Sequence, residues 1–112
     1  MSDCLFCKIV AGEIPATVVH ENATTLAFRD INPHAPVHVL VIPKEHVEDS
    51  AALAEAGLAN DVLLAAAAVA AKEGISESGY RVTFNTGEDA GRTVFHAHAH
   101  VLGGTGLSLR LG

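Results

Sequence analysis

The amino-acid sequence predicts an α+β fold: a five-stranded antiparallel sheet with one long helix and a short N-terminal helix. Three observations carry this prediction. Five short segments have strand composition and are joined by turn residues, a single alanine-rich stretch reads as the long helix, and no repeat or linker divides the 112 residues. That length suits one hydrophobic core, so residues 1–112 are expected to form a single domain.

Residues 4–11, Cys4-Leu5-Phe6-Cys7-Lys8-Ile9-Val10-Ala11, predict a short helix that stops at Gly12, with Pro15 preventing its continuation. Thr17 to Glu21 and Thr24 to Arg29 are rich in β-branched and apolar residues. The turn chemistry of Glu21-Asn22-Ala23 joins them as a hairpin. Val37 to Ile42 is a third strand, closed by Pro43. From Ser50 to Glu73 the chain is alanine-rich and free of proline, has Ser50 as an N-cap and ends at Gly74, so it predicts the long helix with a break near Gly57. Tyr80 to Asn85 alternates as a strand, and Thr93 to Leu102 forms the last one before Gly103-Gly104. Short turns between the strands and one inserted helix place the helices on one face of the sheet.

A formal charge of −6, with seven Lys and Arg scattered along the chain, excludes a nucleic-acid polymer as partner, because tracking a phosphate backbone needs clustered cations. A single small phosphorylated ligand remains possible, since backbone N–H groups and histidines can replace a basic patch. The N-terminal Met1-Ser2-Asp3-Cys4 does not read as a secretory signal. The longest apolar run, Val62 to Ala71, is about half of a bilayer span. The expectation is a cytoplasmic protein without membrane contact. Cys4 and Cys7 are then reduced thiols suited to a metal or redox role rather than to a structural disulfide.

In a strand, alternate side chains share a face, so His96, His98 and His100 are expected on one face at intervals of roughly 7 Å, with Ala97, Ala99 and Val101 on the other. Each buried imidazole carries a donor and an acceptor that need partners, so three on one face is not a packing pattern. Three readings remain open: satisfied core histidines, one metal bound by all three, or nucleophilic catalysis at phosphorus. In the last, one neutral ring attacks while its neighbours fix its tautomer, donate protons and bind phosphoryl oxygens. The loop Gly87-Glu88-Asp89-Ala90-Gly91-Arg92-Thr93 favours the last reading, because it brings backbone N–H groups and a hydroxyl next to the cluster.

The segment His96-Ala97-His98-Ala99-His100-Val101-Leu102 resembles the His-x-His-x-His-x-x signature of the histidine triad (HIT) family. Asp3-Cys4-Leu5-Phe6-Cys7-Lys8-Ile9, Gly12-Glu13-Ile14-Pro15-Ala16, Phe28-Arg29-Asp30-Ile31 and the run from Ala35 to His46 resemble its Hint branch, the purine nucleoside phosphoramidases, in the same order and over residues 3–104. The resemblance implies a HIT-like fold and a homodimer whose two sheets join into one. It also implies binding of purine nucleoside monophosphates and hydrolysis of AMP linked through nitrogen to an amine or lysine.

By position, the resemblance makes His98 the nucleophile, His38 its orienting partner and His100 a phosphate contact. It places Asp30 on the ribose hydroxyls, Ile31, Phe28 and Phe6 near the base, and Asn85, Gly91, Arg92 and Thr93 around the phosphate, with Thr93 where serine is more usual. On chemistry alone Asp30 reads equally as a solvated turn residue, and the two phenylalanines as ordinary core. Cys4 and Cys7 supply two soft ligands of the four that a structural zinc needs, and the resemblance assigns the other two to His46 and His96. No metal is required for the chemistry. A dinucleoside polyphosphate hydrolase of a sister branch, or a nucleotide-binding interaction module with incidental activity, are the alternatives.

Overall fold

Asn22 sets the first turn of the sheet, its Oδ1 accepting from the Thr24 and Thr25 N–H groups at 3.0 and 2.9 Å and from the Thr25 hydroxyl at 2.8 Å. The computed structural model describes residues 3–108. Around that turn β1 (Val18–Glu21) pairs with β2 (Thr25–Arg29), followed by β3 (Val37–Pro43), β4 (Tyr80–Thr83) and β5 (Ala99–Gly103). Every pairing is antiparallel and the spatial order is β1-β2-β3-β5-β4, the five-stranded sheet expected from the sequence.

Strand alternation sorts the side chains into two layers. Ala27, Val39, Val41, Ala99 and Val101 face helix α3 (Ala59–Lys72), whose buried stripe is Val62, Ala65, Ala66, Val69 and Ala70. The alanines in that stripe let the helix sit close to the sheet. On the opposite face Leu26, Phe28, Leu40 and Ile42 pack against Phe6, Ile9 and Val10 of α1 (Leu5–Val10). The helices therefore do not all share one face, as the sequence had suggested: α1 covers the far side, because Leu26, Phe28, Leu40 and Ile42 make that face apolar as well.

The alanine-rich stretch is split into α2 (Ser50–Glu55) and α3, with Gly57 at φ +75° between them, as the sequence had allowed. Asp49, not Ser50, is the N-cap, its Oδ1 accepting from the Ala52 N–H at 2.9 Å.

The last strand starts six residues later than expected. Val41 pairs with Ala99, so the next ladder position would fall at Pro43, which has no N–H to give, while the Ala97 N–H donates instead to the Val47 carbonyl at 2.8 Å. His96 and His98 thus precede β5, and only His100 lies in it. Among the described residues no helix is long and apolar enough to cross a membrane.

Candidate active site

His38 and His100 share the α1 face of adjacent strands, one register step apart: His38 pairs with Leu102 and Leu40 with His100. Their rings meet, His38 Nε2 lying 2.9 Å from His100 Nδ1. The proton order follows from a fixed donor. The His34 backbone N–H donates to His38 Nδ1 at 3.0 Å, so a neutral His38 carries its hydrogen on Nε2 and donates it to His100 Nδ1. His100 then holds its own hydrogen on Nε2. Asp30 Oδ2 lies 3.4 Å from His38 Nε2, while Asp30 Oδ1 accepts the Asn32 N–H at 2.8 Å.

Burial, then the neighbouring His98 and His38, push the His100 imidazole down to about 4. Burial likewise lowers His38, against the pull of Asp30. The pair is uncharged at neutral pH, and His100 is a hydrogen-bond donor rather than a cation.

His98 is fixed the other way round. Its Nδ1 lies 2.7 Å from the His96 carbonyl, which can only accept, so the hydrogen is on Nδ1 and the lone pair is on Nε2. Burial lowers its pKa, opposed by that backbone bond. Phe6 stands edge-on to the ring, 5.1 Å between centroids, and His100 is 5.0 Å away. The result is a neutral imidazole, oriented from behind, with an electron pair at Nε2, the state in which an imidazole can attack an electrophile.

His98 and His100 line a cleft of about 680 Å³, together with Asp30 and Thr93. Its walls are apolar, made by Leu5, Phe6, Ile9, Phe28, Leu40 and Val94. Two imidazoles, a carboxylate and a hydroxyl among apolar walls suit a ligand that is part phosphate and part flat heterocycle.

His96 is fully buried and does not join its two neighbours. Its Nε2–H donates to the Pro43 carbonyl at 2.9 Å, which leaves Nδ1 with a lone pair 3.4 Å from Cys4 Sγ and 3.5 Å from Cys7 Sγ. His46 Nδ1 lies 3.3 Å from Cys7 Sγ, and all four donor atoms fall within 4.8 Å of one another. Zinc bond lengths of about 2.3 Å to sulfur and 2.0–2.1 Å to nitrogen give a tetrahedral S···N edge of about 3.6 Å. The S···N separations of 3.3–3.5 Å are close to that edge, so the four residues could hold such an ion, and the Pro43 carbonyl keeps the lone pair of His96 on Nδ1.

The structure brings Phe6, Phe28, Asp30, Ile31, Thr93, His98 and His100 together around the cleft. Ile31 is 92% exposed at its rim, whereas Phe6 and Phe28 are buried and meet edge to face at 5.4 Å, wall and core at once. His38 stands behind His100. Asn85 lines a second cavity on the far side of the His38–His100 pair.

Arg92 is not brought to the cleft: its guanidinium lies 4.2 Å over the Phe95 ring and 3.5 Å from Glu48. Gly91 takes φ +80° at the end of the short turn Glu88–Ala90, a left-handed conformation that favours glycine, and does not line the cleft. Sequence reasoning passed over the His34 and Asn32 backbone N–H groups, which fix His38 and Asp30. The Asp30-x-Asn32 spacing, that of an Asx turn, was the available signal.

A model of the HIT domain matches residues 11–107. The purine nucleoside phosphoramidase of Escherichia coli K12 is 42% identical over 108 residues, covering 94% of this chain and 90% of that protein. The 14 kDa zinc-binding protein of Zea mays is 47% identical over 109 residues, covering 92% and 83% respectively. A solved HIT family hydrolase from Legionella pneumophila superposes with a TM-score of 0.92 at 46% identity, covering 98% of this chain and all of that one.

Proposed function

Because the chain belongs to the histidine triad (HIT) family, we propose that it is a purine nucleoside phosphoramidase that cleaves nucleoside 5'-phosphoramidates through a nucleotidyl group held on His98. The observation that supports this reading is the 2.7 Å bond from His98 Nδ1–H to the His96 carbonyl, which leaves the electron pair on Nε2 of a ring that lines the cleft.

The purine lies between the apolar walls, with the ribose hydroxyls on Asp30. His98 Nε2 attacks the α-phosphorus, and the bond between phosphorus and the amine nitrogen breaks. The positive charge that develops on His98 is met at Nδ1–H by the His96 carbonyl. His100 Nε2–H and the groups around Thr93 hold the phosphoryl oxygens. The amine takes its proton from solvent, since the uncharged His38–His100 pair has none to spare. Water then attacks the same phosphorus, releasing the nucleoside monophosphate and restoring neutral His98.

Cys4, Cys7, His46 and His96 would hold zinc as a purely structural ion that ties α1 to the segment before β5. The maize relative's name supports that metal, as does the tetrahedral fit. A homodimer is part of the proposal: β4 is a sheet edge that carries the exposed Tyr80, and Leu63 and Leu64 are exposed apolar side chains on α3. The test is hydrolysis of adenosine 5'-phosphoramidate against a diadenosine polyphosphate. Preferred cleavage of the phosphoramidate is expected, and preferred cleavage of the anhydride would move the chain to the sister activity.

A further inference from the structure

The segment that brings Thr93 to the cleft is tied at three points to the stretch that enters α2. Thr86 Oγ1 lies 3.4 Å from Ser50 Oγ at one end, and the Ala97 N–H donates to the Val47 carbonyl at 2.8 Å at the other. Between them the tie is a side chain: Arg92 Nη2 lies 3.5 Å from Glu48 Oε2, and Nη1 lies 4.0 Å from Asp49 Oδ2. The same guanidinium covers the Phe95 ring at 4.2 Å. Thr93 and Val94, the two residues enclosed by that contact, both line the cleft.

Arg92 differs from a surface cation in two ways. Its side chain is only 10% exposed, and Nε and Nη1 are buried with no hydrogen-bond partner among the described residues. Unmatched buried N–H groups are costly, so an apolar side chain of similar volume would serve the fold as well. Its charge does what no apolar side chain can. Glu48 and Asp49 stand on one segment and Glu88 and Asp89 on the other, and from Val82 to Leu109 Arg92 is the only Lys or Arg. One cation thus holds together two stretches whose own charges repel.

The geometry points to Arg92 as a positioning residue: anchored on Glu48 and Asp49 outside the cleft, it fixes where Thr93 and the groups around it meet a phosphoryl group, without touching that group itself. This rests on the nucleotide reading of the cleft and adds to it a residue that acts from behind. Donors stabilise developing charge on phosphoryl oxygens only if they are in place beforehand, so the anchor matters to phosphate binding and to turnover, and not to the nucleoside. A guanidinium deprived of both carboxylates is a buried charge without a partner. It leaves its seat, and Thr93 shifts with it.

The experiment measures, by calorimetry, the affinities for AMP and for adenosine, which has no phosphate, in wild type, Arg92→Met, Arg92→Lys, the double variant Glu48→Gln/Asp49→Asn and the triple variant that adds Arg92→Met. The wild type should prefer AMP. That preference should fall by about ten- to a hundredfold in Arg92→Met, with adenosine affinity unchanged, and survive in part in Arg92→Lys. The double variant should lose as much, and the triple variant no more, since all three residues act through one anchor. With adenosine 5'-phosphoramidate, kcat should fall more than KM rises.

An AMP preference that persists in Arg92→Met overturns the role of Arg92 and leaves the nucleotide reading intact. A preference lost in Arg92→Met and kept in the double variant means that Arg92 touches the phosphate directly, which also overturns positioning. Equal losses for AMP and adenosine reduce Arg92 to a part of the fold. Should Arg92→Met fail to fold, the double variant decides by the same ratio, because Glu48 is exposed and Asn caps a helix as well as Asp. A wild type that binds neither compound removes the nucleotide reading itself, and this inference with it.

Discussion

The carbonyl of His96 accepts the Nδ1–H of His98 at 2.7 Å, while the ring of the same His96 turns its Nδ1 toward Cys4 and Cys7. One residue thus orients the proposed nucleophile with its backbone and belongs to the proposed metal-ligand set through its side chain. The predictions below follow from that arrangement and from the histidine pair beside it.

Replacing His98 with alanine or glycine removes the only electron pair placed for attack in this reading. Turnover should fall by roughly 10³-fold or more, while AMP binding, measured by calorimetry, stays within a few-fold. Turnover close to wild type would take His98 out of the nucleophile's role.

Protein purified without chelator should contain about one zinc per chain. Cys7→Ser should lose the metal and lower the melting temperature by about 5 °C or more. Because Leu5, Phe6 and Ile9 of α1 wall the cleft, KM should rise as well. Metal analysis and thermal melts with and without chelator decide the matter: metal-free protein that melts at the same temperature under both conditions contradicts the site.

His100, held at about 4 in the folded chain against 6.5 when unfolded, makes stability depend on pH. Between these values the unfolded state binds a proton that the folded state refuses, so folding is favoured above pH 6.5 and weakens as pH falls toward 4. From pH 7 to pH 5 the loss should be about 2 kcal/mol. Urea titrations at the two pH values should show this loss reduced in His100→Gln. An identical pH dependence in the variant would mean that His100 titrates normally.

Asp30 is proposed to accept both ribose hydroxyls. Asp30→Ala should lower kcat/KM for the ribonucleotide substrate by about ten- to a hundredfold. The 2'-deoxy substrate should already be poor with wild type and suffer less from the change. Equal losses for both sugars would assign Asp30 to steadying His38 instead.

Sedimentation equilibrium should return twice the 11.6 kDa chain mass. Leu64→Glu, which puts a charge on an exposed apolar position of α3, should shift the protein toward monomer. A wild-type monomer at micromolar concentration would rule out the dimer.

Most of this architecture could be read from residue order. β-Branched runs with turn residues between them marked the strands, and the alanine stripe with Gly57 marked the split helix. What could not be read depended on contacts between distant segments. The late start of β5 comes from Pro43, 56 residues before Ala99, and the cover on the far face comes from a helix at the other end of the chain. At the site, His98, His100, Asp30 and Thr93 were legible from spacing and family likeness. The separation of His96 from its neighbours was not legible from strand alternation, and neither was the withdrawal of Arg92 onto Phe95.

Three of the rings take their proton arrangement from a main-chain atom: the His34 amide for His38, the His96 carbonyl for His98 and the Pro43 carbonyl for His96. Residue 34 can therefore drift to any amino acid except proline without disturbing His38 through this bond. Those hydrogens are inherited with the path of the chain, and the surrounding side chains remain available for evolution to retune which amine is released.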